Sequence, residues 1–78
     1  MSLRKAEITF DSGFLEFIDE RDESGNGDLT AVFFPVTRTL EDLAIVQEWK
    51  RGQSRTKELE VVPEDVWRVA TTMFMFYE

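Results

Sequence analysis

The stretch Thr39-Leu40-Glu41-Asp42-Leu43-Ala44-Ile45-Val46-Gln47-Glu48-Trp49-Lys50-Arg51-Gly52 decides the architecture of this chain, because it carries the marks of a helix and of a strand. Thr39 is a suitable N-cap, Glu41 and Asp42 fall in a first turn, Lys50 and Arg51 in a last turn, and Gly52 just beyond. Cap, dipole complement and terminator agree on a helix from about 40 to 51. Its apolar residues, Leu40, Leu43, Ala44, Ile45, Val46 and Trp49, spread around too much of the helical wheel for a clean surface helix. A strand over 43–49, hairpinned through 51–55 to the next strand, is the competing reading.

Downstream, residues 57–62 alternate, with Leu59 and Val61 directed inward and Glu58 and Glu60 outward, which predicts a strand. Pro63 then suits the first position of a helix, with Glu64 and Asp65 in its first turn. Val66, Trp67, Val69, Ala70, Met73, Phe74, Phe76 and Tyr77 fall on one broad arc, opposite Arg68, Thr71, Thr72 and Met75.

Upstream, Arg4–Phe10 alternates, Ala6, Ile8 and Phe10 on one face and Lys5, Glu7 and Thr9 on the other, as in a half-buried strand. Asp11-Ser12-Gly13 has the composition of a turn. Residues 14–21 fit either a short helix or a mostly buried strand, and strand-like neighbours on both sides favour the strand. Residues 22–28 are loop on any reading. Leu29–Phe34 is β-branched and aromatic with apolar residues on both faces, the pattern of a central strand that ends near Pro35. The expected order is therefore β-β-β-α-β-α. It describes a small two-layer α+β domain with a mostly antiparallel sheet and two helices packed on one face, residues 1–78 forming a single domain.

Composition narrows the chemistry. The 78 residues contain no Cys and no His, so disulfides, the usual zinc sites, Ser-His-Asp and Cys-His catalysis are closed to the chain. A chain this short also has little room for a pocket of about 300 Å³ or more. Neither an enzyme nor a resident cofactor or metal is expected. Met1–Lys5 leads into alternating residues instead of an apolar leader, and no apolar run approaches the ~20 residues of a membrane span. A cytoplasmic setting is the expectation.

Charge points to partners. The net charge is −7, but a loop with five carboxylates and one Arg over 19–28 is balanced by Lys50, Arg51, Arg55 and Lys57, so the rest of the chain carries the full excess. Such a surface suits a protein partner that is basic or itself binds nucleic acid, and it disfavours direct nucleic-acid or membrane binding. Asp22-x-Ser24-x-Asn26-Gly27 matches the first half of an EF-hand loop, but its twelfth position is Phe33 instead of the bidentate Glu. A weak calcium-binding loop at 22–30 is a third reading. The Lys50–Lys57 run with Trp49 has the elements of a phosphate grip, although basic residues there are equally ordinary solvation.

The leading expectation is a small acidic, non-enzymatic protein–protein interaction domain of inhibitor or adaptor type. Its binding residues are Trp67, Met75, Phe76 and Tyr77 at the last helix, with Glu7, Glu58 and Glu60 on exposed strand positions. The alternative is a nucleic-acid mimic whose carboxylates occupy the groove of a DNA- or RNA-binding protein. The crowded C-terminal aromatics and the missing covalent staples also suggest a homodimer.

Overall fold

The computed structural model describes residues 4–36 and 47–76. Four strands form one antiparallel sheet in chain order, β1 (Arg4–Phe10), β2 (Gly13–Asp19), β3 (Leu29–Pro35) and β4 (Gln47–Lys50). A single turn of 3₁₀ helix (Leu59–Val61) and an α-helix, α1 (Glu64–Phe76), follow. The α+β class stands, with one α-helix among the described residues.

Residues 14–19 fall in β2, because alternation wins over helical spacing once strands lie on both sides. Leu15 and Phe17 are buried, while Phe14 and Glu16 face the other way. Gly13 closes the first hairpin at φ +150°, and a Cβ there would meet the Phe34 carbonyl oxygen at 2.2 Å. Only glycine fits so close to a neighbouring strand. β3 is buried on both faces over Leu29–Phe33, as its apolar run requires of a central strand.

Two expectations are corrected. The helix expected over 40–51 is a strand at 47–50, while 40–46 lies outside the described residues. Lys50 ends β4, and Arg51 and Gly52 are the turn residues after it, not a helix end. Gln53 N–H bonds the Lys50 carbonyl at 3.1 Å, and Gly52 supplies the positive φ of +88°. Both turn and helix C-cap ask for glycine at that point, so the residue alone does not separate them.

The strand expected over 57–62 is a turn and the 3₁₀ helix. Leu59 and Val62 are buried, whereas Val61 is 64% exposed. The burial period is three, not two, as in a 3₁₀ turn. The Val62 N–H to Leu59 carbonyl bond, 2.9 Å, closes it.

The core lies between the inner sheet face and α1. Phe74 meets Phe17 of β2 edge-to-face at 5.5 Å, and Trp67 stacks on Trp49 of β4 at 5.4 Å. Val66, Ala70 and Phe74, spaced by four, are the buried line of the helix. The first helical bond runs from Trp67 N–H to the Pro63 carbonyl, 3.0 Å, placing the proline one position before the expected N1.

Candidate functional site

The end of α1 combines a rigid backbone with uncovered apolar side chains. Phe74 turns into the core, so Met75 and Phe76, one and two positions on, swing outward and are 74% and 80% exposed. Beside them runs a groove of about 320 Å³, lined by Trp49, Arg51, Gly52, Gln53, Thr71, Phe74 and Met75. The β4 turn forms one wall and the last two turns of the helix the other. A pocket of that size was not expected from chain length alone.

Behind the groove an aromatic pile fixes its floor. Trp49 is 2% exposed, and its indole N–H is buried with no acceptor among the described residues. Trp67 covers it, and the Arg55 guanidinium lies over Trp67 at 5.6 Å from the ring centroid. Arg55 donates to the Val62 carbonyl at 2.5 Å, to the Glu60 carbonyl at 3.4 Å and to Glu64. Arg51 is different. It is exposed, lines the groove, and forms no ion pair with any described residue.

The expected site residues therefore separate. Met75 and Phe76 lie together at the helix end, and Tyr77 is outside the described residues. Trp67 is half-buried between Trp49 and Arg55, so most of its surface is spent inside the fold. Glu7 is exposed on the outer face of β1. Glu58 and Glu60 are exposed but not on the sheet; they flank and enter the 3₁₀ turn beside Arg55. Hydrogen bonds from the Glu58 main chain and from Thr56 lower the Glu58 pKa.

Register supplies partners for Glu7 that local spacing does not. Glu7 is opposite Glu16, Glu16 opposite Val32, and Val32 opposite Glu48, making one row across the outer face. Lys5 pairs with Glu16 at 3.0 Å and leaves that carboxylate 12% exposed. Phe14 and Phe34 stack at 4.6 Å on the neighbouring row. No single segment predicts this row, because it requires strand pairing.

The acidic loop is tied into a turn. The Asp22 carboxylate accepts the Ser24 and Asn26 N–H groups, both at 2.9 Å, and Asp28 pairs with Lys50 at 2.9 Å. The calcium-like spacing joins β2 to β3, two strands instead of two helices, with Phe33 in the core. No group of three or more Asp and Glu side chains among the described residues is placed to hold a metal. No helix among them is long and apolar enough to cross a membrane.

Beneath the loop, Asp19 is 3% exposed and carries the most perturbed carboxyl. The Arg21 side chain donates to both its oxygens at 3.0 and 3.1 Å, the Arg21 main chain adds a bond of 3.0 Å, and Arg4 completes the cluster. Arg21's hydrogen bonds, foremost, hold the carboxyl well below the usual range against the opposing effect of burial. This is an anchor of the fold. It has no open side for a substrate.

Comparison of the chain with protein-family models, with curated proteins and with solved structures finds no match.

Proposed function

We propose that this protein is a small acidic, non-enzymatic interaction domain of inhibitor or adaptor type, acting in the cytoplasm, whose partner docks on the exposed end of α1. The observation that carries the reading is the juxtaposition of Met75 and Phe76 with the adjoining groove. Burying one such side chain contributes about 1.5–3 kcal/mol, and aromatic anchors beside a concave floor are the usual hot spots of an interface. Arg51 at the rim offers a guanidinium for a carboxylate or carbonyl of the partner.

The test compares the native chain with Phe76→Ala and Met75→Ala. Both side chains are largely exposed, so the melting temperature should hold while capture of a specific partner, identified by mass spectrometry, is lost. A captured set unchanged by both substitutions overturns the reading.

The second reading is the nucleic-acid mimic, and the row Glu7, Glu16 and Glu48 favours it. Its density argues against it. Val32 interrupts the row and Lys5 neutralises Glu16, leaving Glu7 and Glu48 about 14 Å apart across three strand spacings. A duplex presents a charge every ~1.7 Å of axis. Binding that collapses between low and moderate salt and is abolished by Glu7→Lys with Glu48→Lys would nevertheless reverse this preference.

A further inference from the structure

β1 is an edge strand seven residues long, and among the described residues nothing pairs with its outer side. The hydrogen-bond parity of the sheet identifies the groups it presents. Val36 N–H bonds the Ser12 carbonyl and Glu20 N–H the Asp28 carbonyl, flanking the pairs Gly13–Pro35 and Asp19–Leu29. Odd-numbered residues of β2 therefore direct their peptide groups at β1 and bond Arg4, Ala6, Ile8 and Phe10. The N–H and C=O groups of Lys5, Glu7 and Thr9 face outward. The inner side chains Ala6, Ile8 and Phe10 remain half-buried, because the helix packs over β2 and β4.

We propose that a second copy of this chain occupies this edge, β1 pairing antiparallel with β1 about a two-fold axis through Ile8 to form a continuous eight-stranded sheet. Only a few self-complementary registers place Lys5, Glu7 and Thr9 opposite one another across such an axis. An axis through Glu7 sets two like charges face to face, which destabilises the pair. One through Ala6 gains Lys5–Glu7 contacts but sets Arg4 against Ile8, and exposed ion pairs contribute only about 0–1 kcal/mol.

An axis through Ile8 sets Ile8 against Ile8 and Ala6 against Phe10, so the whole half-buried stripe is covered. It pairs Glu7 with Thr9 through main-chain bonds and brings Lys5 opposite Asp11. Apolar burial and charge both select this register. The surface is independent of the α1 end, so a dimer leaves Met75 and Phe76 free for another partner.

The chain contains no cysteine, which makes single-cysteine cross-linking clean. The Ile8 axis puts the two Ile8 Cα atoms about 4.5 Å apart, inside the disulfide window, and the two Ala6 Cα atoms about 14 Å apart. Under mild oxidant, Ile8→Cys should form a covalent dimer several-fold faster than Ala6→Cys or Glu7→Cys. The native chain should show a concentration-dependent mass in analytical ultracentrifugation.

Thr9→Pro removes an N–H that no described residue of the monomer accepts, at an edge position where proline is tolerated. It should keep the monomer's melting temperature and abolish the dimer. A monomer mass at every concentration overturns the proposal. So does faster cross-linking at position 6 or 7, or a dimer that survives Thr9→Pro, which would place self-association on another surface such as the α1 end.

Discussion

At the open end of the first hairpin a buried carboxylate, Asp19, is held by two arginines; beside the helix a single arginine, Arg55, is held by two carbonyls and a tryptophan ring. Both clusters tie separate elements of the fold together. Asp19 joins the start of β1 to the end of β2, whereas Arg55 joins the loop after β4 to the 3₁₀ turn and to α1. They differ in which charge is committed. The Asp19 cluster removes an anion from water and compensates it with several donors, so its strength depends on protonation. Arg55 stays charged at any ordinary pH, and its carbonyl and ring partners do not titrate. One anchor should release in acid, and the other should not.

The largest effect is expected from Asp19→Ala. Removing the carboxylate takes away the acceptor that Arg4 and Arg21 share at a site only 3% exposed, and breaking a buried pair in this way costs about 3–5 kcal/mol. Urea unfolding at neutral pH reads it as a lower midpoint at unchanged slope. The pH arm has a defined sign. Because the folded pKa lies below the unfolded value of about 3.9, the contribution is complete above that value and fades as the pH falls beneath it. Asp19→Asn should therefore flatten the native chain's loss of stability below about pH 4. An unchanged acid limb would show that other carboxyls carry it.

Arg55→Ala should come second, at about 1.5–3 kcal/mol, since charge-assisted bonds to two carbonyls and a cation–π contact go together. Arg55→Lys keeps the charge without the planar fork and should recover only part of the loss. The cost should be the same at pH 7 and pH 4, in contrast to Asp19. A loss that differs between the two pH values would overturn an anchor built on carbonyl and ring contacts.

The three N-terminal strands and the last helix were legible because each repeats a local signal over seven or more residues. Ala6, Ile8 and Phe10 alternate over the period of a strand, and Val66, Ala70 and Phe74 over that of a helix. The middle of the chain was not legible, for a physical reason. Trp49 is the one buried residue among the described residues of β4, and Lys50-Arg51-Gly52 suits a turn as well as a helix end. Leu59, Val61 and Val62 satisfy periods of two and three together, and only packing decides between them. In the site, Met75 and Phe76 were readable as the apolar excess of a small helix. Arg51, Arg55, Glu16 and Glu48 were not, because their roles depend on which segments meet. In the sequence Asp19 reads as loop charge, and its position opposite Arg4 appears only with the strand register.

The smallest effect belongs to Glu64, and it decides how the Arg55 anchor works. The carboxylate bonds Arg55 and stands 3.4 Å from Arg68, yet its side chain is 61% exposed. Water solvates it nearly as well as the two arginines do, so the exposed pairs contribute about 0–1 kcal/mol. Glu64→Gln keeps an acceptor oxygen in place and should move the urea midpoint very little. Added salt should leave even that difference smaller, because exposed charges are screened over about 10 Å at 0.1 M. If Glu64→Gln instead costs as much as Arg55→Ala, the guanidinium is held by its ion pair. The Val62 and Glu60 carbonyls would then be incidental to the anchor.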